Sequence, residues 1–194
     1  MTLFFYTSNL KKFTYAQSVF TSQTQINLVH KSFDFKELQT DNPQENLLFK
    51  LSQIPHVPAT NIFIEDSTFH IDALNGFPSL YTKYILSSIG AQGIISLLDG
   101  REHRDCYFIN HVALRAADNQ IHFFSGITRG LSISFAPSEK DSGEDFSDLW
   151  QILKVTKSGQ FYHQLTVSEK QFFNQQNCNS DAFKQIKDHM ANMS

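Results

Sequence analysis

The chain has 194 residues, of which 41% are hydrophobic and 13% aromatic, including 19 phenylalanines. That is enough apolar mass for one self-sufficient domain, with room for a modest second lobe. A net charge of −3 excludes a bulk electrostatic grip on nucleic acid or on an anionic membrane, but not a locally basic pocket for a phosphorylated ligand. Cys106 and Cys178 stand far apart with no C-x-x-C, so ordinary reduced cysteines are expected rather than a disulfide framework or a zinc knuckle. The opening MTLFFYTSNLKK lacks a basic leader pattern, and no stretch approaches the ~20 apolar residues of a membrane span. A soluble, cytoplasmic protein is the expectation.

In chain order, residues 2–7 form a compact Phe- and Tyr-rich run that reads as a buried strand. From Asn9 the period changes: Leu10, Phe13, Ala16, Val19 and Phe20 fall on one side of a helix. A second short strand follows over 26–30. In TDNPQENLLFKLSQI, Asp41 or Asn42 is placed to cap a helix with Pro43 in its first turn. Leu47, Leu48, Leu51 and Ile54 would form its apolar stripe, and Pro55 and Pro58 would end it. Residues 62–65 and 69–74 read as strands, and Asn75-Gly76 as a turn. The span 80–98 carries two helical stretches broken near Gly90. Two long strands, 106–116 and 120–135, are joined by a polar turn at Asp118-Asn119. The last fifty residues hold a short strand near Val155, a helix capped by Thr166 or Ser168, and a final helix from Ser180. Helices interspersed with strands, and a long antiparallel hairpin among them, predict an α/β fold in one domain spanning 1–194.

Thr7, Ser8 and Asn9 sit at the junction of the first strand and first helix, with Lys12 close behind. Backbone N–H groups at a helix start suit a phosphate, although the same residue types are ordinary helix caps. Glu65 and Asp66 stand side by side at the apparent exit of a buried strand, and ligands of α/β sheets gather at the carboxyl ends of strands. Glu37 lies in a loop after an earlier strand. Carboxylates from two loops can share one Mg²⁺, which completes its shell with water and phosphate; alternatively such acids cap helices or face solvent. The eight histidines show no zinc spacing, and the glycines form neither G-x-G-x-x-G nor a Walker A loop.

Taken together, TSNLKKF and EDSTFHIDALNGFPSLYTKY resemble the inosine triphosphate pyrophosphatase family, enzymes that hydrolyse deaminated purine nucleoside triphosphates. The family's T-x-N-x-x-K opening is matched by Thr7, Asn9 and Lys12. Its acidic pair, Asp/Asn-Ala-Leu-x-Gly and Pro-x-x-Tyr spacing are matched by Glu65, Asp66, Asp72, Ala73, Leu74, Gly76, Pro78 and Tyr81. The similarity runs well over about residues 2–137. It implies a mixed central sheet with a long antiparallel hairpin flanked by helices, of the Maf-like kind, with two lobes around a cleft. It also implies that Thr7, Ser8, Asn9, Lys12, Lys50, Lys83 and Lys170 bind the phosphates, and that Glu37 and Asp66 hold Mg²⁺. Asp66, Glu65 and Lys12 would be catalytic. The products would be a nucleoside monophosphate and pyrophosphate, and the assembly a homodimer, with no nucleic-acid or membrane partner. Four lysines and one Mg²⁺ against three acids leave a surplus of three positive charges, to meet about four negative charges on a triphosphate.

The base-reading half of the family pattern departs. The family's Pro-Arg-Gly becomes APSEKD, its Phe-Gly-Trp/Tyr-Asp-Pro loop becomes EDFSDLWQ, and its late Ser-His-Arg becomes Asn174-Gln175-Gln176. Phe146 and Trp150 remain as stacking surfaces, and Gln175 and Gln176 as amide donors toward a 6-carbonyl purine. Altered base choice follows as the expectation. A catalytically weak relative that senses or sequesters a nucleotide is the alternative.

Overall fold

The computed structural model describes residues 1–21, 25–139, 148–178 and 181–192. Seven strands form one mixed sheet in the order β2-β1-β3-β5-β6-β7, with β4 pairing β3. The strands are β1 (Thr2–Tyr6), β2 (Asn27–Lys31), β3 (Asn61–Ile71), β4 (Pro78–Ser79), β5 (Asp105–Arg115), β6 (Ile121–Ile133) and β7 (Leu153–Val155). β1 runs parallel to both β2 and β3, while β4 and β7 pair antiparallel to β3 and β6. The helices are α1 (Leu10–Phe20), α2 (Pro43–Ser52), α3 (Thr82–Ser96), α4 (Val167–Asn177) and α5 (Ala182–Asn192).

The chain packs as two compact units: Met1–Ser67, Asn110–Gly126 and Ser180–Ser194 in the first, Thr68–Ile109 and Ile127–Asn179 in the second. β3, β5 and β6 are long enough to contribute a stretch to each.

In the first unit the period-2 alternation of the strands feeds two apolar layers. Leu3, Phe5, Phe63, Val112 and Leu114 pack with Ala16 and Phe20 of α1 and with Phe183, Ile186 and Met190 of α5. Phe5 and Phe63 stack at 4.3 Å between ring centres. The intervening residues, Phe4, Tyr6, Ile62, Ile64 and Ala113, face Leu47 and Leu51 of α2. The second unit has its own core, where Phe69, Ile71, Cys106, Leu131 and Ile133 meet Ile94, Ile95 and Leu98 around α3, together with Phe173 of α4.

Most elements lie within two residues of their predicted limits, and the differences have local causes. Residues 62–65 and 69–71 are one continuous strand through β3, because Ser67 and Thr68 extend as readily as they turn, whereas Asp72–Leu74, expected as strand, form a 3-10 turn closed by the left-handed Asn75. Leu48 is 42% exposed: it lies outside the α2 stripe, whose buried positions are Asn46, Leu47, Lys50 and Leu51. Leu10 is likewise exposed at the start of α1. Gly90 breaks α3 as predicted, with φ +68° and ψ −177°, a conformation that only glycine adopts without strain. Asn174, Gln175 and Gln176 lie in α4, which extends to Asn177.

Candidate active site

β1 ends at Tyr6, and the three residues before α1 make a turn held by its own side chains. Thr7 Oγ1 accepts from Asn9 N–H at 3.1 Å, and Asn9 Oδ1 accepts from Lys12 N–H at 3.0 Å as the helix N-cap. Thr7 is buried and its backbone N–H donates to Lys31 at 3.0 Å, while Ser8 is exposed. The first turn of α1 contains no acid; Lys11 and Lys12 stand there instead. Cations at a helix N-terminus oppose the macrodipole, so this turn concentrates positive potential where an anion would be held.

Phe5 of β1 pairs with Phe63 of β3, so Glu65 stands one step past the end of β1, beside the Thr7 turn. The two acids lie within β3 rather than at its exit, and it is β1 that stops there. Because successive strand residues face opposite sides, the adjacent acids diverge. Glu65 follows Phe63 toward α1, and Asp66 follows Ile64 toward α2. Each meets a lysine from the helix on its own side. Lys12 Nζ lies 2.5 Å from Glu65 Oε2, and Lys50 Nζ lies 3.1 Å from Asp66 Oδ1 and 3.3 Å from Glu37 Oε1.

The two pairs differ in accessibility. The Glu65 side chain is 1% exposed, with Oε1 accepting from the Ser67 hydroxyl at 2.5 Å and Oε2 facing the Lys12 ammonium. Burial alone would lower the Lys12 pKa. Attraction and hydrogen bonding from Glu65, with further attraction from Asp66 and Glu37, outweigh it and raise the pKa above 10.5. Lys12 is therefore a fixed cation. On the other face the Asp66 side chain keeps 17% exposure and that of Glu37 47%, so both retain oxygen surface for a ligand. The geometry is two accessible carboxylates around one ammonium, next to a second ammonium locked by a buried acid. Such an arrangement can hold and neutralise a polyanion with a bound cation.

A family model described as the Ham1 family matches residues 3–189. The chain belongs to the Ham1 family. It is 29% identical over 154 residues to the inosine triphosphate pyrophosphatase of Kluyveromyces lactis, covering 71% of this chain and 79% of that one. Over 145 residues it is 30% identical to the dITP/XTP pyrophosphatase of Methanopyrus kandleri, covering 75% and 77%. The solved Ham1 protein of Coxiella burnetii overlays with a TM-score of 0.76 at 16% identity, covering 99% of each chain. The Staphylococcus aureus Ham1 protein does so with a TM-score of 0.72 at 17% identity, covering 98% of this chain and 100% of that one. At those identities the overlays show the shared fold, the mixed sheet flanked by helices.

The structure of this Ham1 chain brings Thr7, Asn9, Lys12, Glu37, Lys50, Glu65 and Asp66 together in the first unit. Lys83 and Lys170 belong to the second. Lys83 is exposed in the first turn of α3. Lys170, on α4, lies 3.5 Å from the His163 carbonyl with its ammonium 5.6 Å from the centre of the Tyr162 ring. Of the base-reading candidates, Trp150 is stacked on Phe108 and Tyr162, at 5.7 and 5.1 Å, against the second unit's core. Gln175 and Gln176 are exposed on α4, and Phe146 lies outside the described residues.

The sequence assigned no functional role to three residues near the acids. Asn46 donates to Asp66 Oδ2 at 2.6 Å, Ser67 holds Glu65, and His111 on β5 lies close to Asp66. Burial pushes the His111 pKa below 6.5, with Asp66 pulling partly the other way. The hydrophobic pattern of α2 does not mark Asn46, which is flanked by Glu45 and Leu47 and lies one turn before Lys50.

Proposed function

We propose that this protein is a nucleoside triphosphate pyrophosphohydrolase acting on deaminated purine nucleotides such as ITP, dITP or XTP, with Mg²⁺ as cofactor. The names of its relatives in Kluyveromyces and Methanopyrus support the substrate class. The observation that carries the reading is the divergence of two adjacent acids onto two lysines delivered by two different helices. No fold requirement asks for it, since apolar residues at both positions would bury more cheaply.

Glu37 and Asp66 fit Mg²⁺. Both already lie against one cation, the Lys50 ammonium, and both are partly exposed. Among the described residues no three His, Cys, Asp or Glu side chains form a closed cage, and Mg²⁺ binds through one or two carboxylates, with water and phosphate filling its shell. Bound there, it would neutralise phosphate oxygens and lower the barrier to attack at phosphorus.

The chain's own residues supply the rest. The α1 N-terminus and the Lys12 ammonium bind the phosphate chain from one side of the sheet edge. Lys50 holds Asp66 and Glu37 and presents its charge to the same anion. Glu65, with both oxygens engaged, keeps Lys12 protonated and in place. Asp66 has the accessible carboxylate of the adjacent pair, so it orients the attacking water and accepts its proton. The water oxygen bonds to the α-phosphorus, and the α–β bridging oxygen leaves with pyrophosphate. The changed base-reading segments would relax base choice. A homodimer is part of the proposal, and light scattering reporting a monomer would remove it.

The test is pyrophosphate release from a panel of ITP, XTP, dITP, GTP, ATP and dUTP with Mg²⁺. Turnover of at least one deaminated nucleotide is expected. No turnover on any, with saturable nucleotide binding, would replace the enzyme by a nucleotide-sequestering protein.

A further inference from the structure

α2 delivers two buried polar residues one turn apart to the same place. Asn46 is 3% exposed and Lys50 4%. Lys50 is explained by charge, since it pairs with Glu37 and Asp66. Asn46 carries no charge, and a buried amide is costly unless its polar atoms are bonded. Here they are bonded to two different elements. Its Nδ2 donates to Asp66 Oδ2 at 2.6 Å, and its Oδ1 accepts from the backbone N–H of Leu38 at 3.1 Å. Leu38 directly follows Glu37. One rigid planar amide therefore spans the acid on β3 and the backbone of the segment that carries the other acid.

The four contacts divide the work. Asn46 takes the Oδ2 side of Asp66, which leaves Oδ1 toward Lys50. By holding Leu38 it also fixes where the Glu37 backbone sits, which the exposed Glu37 side chain does not do for itself. The Lys50 ammonium links the same two acids by charge, but a flexible four-carbon stem does not fix their orientation.

We propose that Asn46 is a positioning residue that sets the spacing of Glu37 and Asp66 and turns one oxygen of Asp66 toward a divalent cation. The inference rests on reading these acids as the metal-binding side of a triphosphate-hydrolysing site. Partners that orient metal-binding carboxylates typically contribute 10–100-fold to metal affinity or activity.

The experiment compares Asn46→Leu, which keeps the branched shape but removes both bonds, with Asn46→Ala and with Leu48→Ala, an exposed position of the same helix. Mn²⁺ serves as the paramagnetic stand-in for Mg²⁺, and its binding is read by electron paramagnetic resonance. Both Asn46 variants should bind Mn²⁺ about 10–100-fold more weakly and lose kcat to a similar degree. KM for ITP at saturating Mg²⁺ should stay within a few-fold, and Leu48→Ala should match the parent. A purely structural Asn46 would lower the melting temperature and leave Mn²⁺ affinity and kcat unchanged, which overturns the proposal. If both variants fail to fold, the unmodified protein decides. The side-chain amide ¹⁵N–¹H signals of Asn46 should shift on addition of Mg²⁺, and unshifted signals alongside Mg²⁺-dependent turnover overturn it. A parent protein that neither binds Mn²⁺ nor releases pyrophosphate would instead defeat the reading of the site itself.

Discussion

Replacing Glu65 by Gln keeps the volume of a side chain that is 1% exposed and removes its charge. The Lys12 ammonium, 2.5 Å away, then faces an amide. One amide orientation turns a donor against it, and the other leaves the Ser67 hydroxyl facing the NH₂ group. Breaking a buried ion pair by removing one partner costs about 3–5 kcal/mol. Lys12 keeps 29% exposure, so water recovers part of its charge, and the lower end, about 3 kcal/mol, is the expected loss. For a chain of this size that corresponds to a fall of about 6–12 °C in Tm. The pH dependence has a definite sign. The Lys12 pKa is raised above 10.5 in the folded protein, so the pair's contribution is complete below 10.5 and is lost as pH rises through the raised value. Without Glu65 the largest influence left is burial, which lowers the pKa. Nucleotide turnover by Glu65→Gln should therefore fall off at a lower alkaline pH than in the parent. Thermal melts of Glu65→Gln, Lys12→Met and the double variant measure the coupling. The double variant should be more stable than the sum of the single losses predicts, by at least about 2 kcal/mol. A Glu65→Gln melt within about 1 kcal/mol of the parent, with additive single effects, would refute the claim that Glu65 holds Lys12.

Three further outcomes follow from the packing. Burial, then the neighbouring His122 ring at 4.4 Å, pushes the His189 pKa below 6.5. The unfolded chain therefore binds the extra proton more readily, and His189's contribution to stability is complete above 6.5 and lost as pH falls below it; His189→Phe should flatten the fall in Tm from pH 7 to 5, and an unchanged slope would contradict it. Burial, then Asp105 and Asp72, pushes the Cys106 thiol well above 9.0. A thiol reagent at pH 8 should label Cys178 well before Cys106 in the native protein, and both at comparable rates in denaturant; fast labelling of Cys106 would show that β5 opens. A Cβ on Gly130, at φ +82°, would come within 2.5 Å of Asn177 Oδ1, so Gly130→Ala should cost about 2 kcal/mol in urea denaturation. Addition of Asn177→Ala should relieve part of that cost, and a neutral Gly130→Ala would show that α4 is free to move off β6.

Local signals placed most elements correctly because they act within a few residues. Asn42 caps α2 and Thr166 caps α4 through a full capping box, and Asn75 and Gly76 take the positive φ that their turn requires. The Thr7, Asn9 and Lys12 cluster was legible for the same reason, since its hydrogen bonds span two or three residues. What escaped were facts of pairing. Glu65 and Asp66 read as a side-by-side pair at a strand exit, yet the strand runs on to Ile71 and its alternation sends them to opposite faces. Only the register of β1 on β3 shows which acid meets which lysine. Leu48 was placed in the stripe and Asn46 was not, because a hydrophobic pattern cannot register a buried polar residue whose partners, Asp66 and Leu38, lie on other elements. Trp150 read as a free stacking surface, but Phe108 and Tyr162, some forty and twelve residues away in sequence, already stack on it.

The central claim is that the acids around Lys50 serve hydrolysis of a deaminated purine nucleoside triphosphate. Its most direct test is pyrophosphate release from ITP by the parent protein and by Asp66→Asn, at equal concentration and with Mg²⁺ titrated from zero. Mg²⁺-dependent release of one pyrophosphate per IMP formed is expected, with a loss of kcat of at least about a hundredfold in Asp66→Asn and the cooperative melt retained. Release that is independent of Mg²⁺, or equally fast without the Asp66 carboxylate, would contradict it.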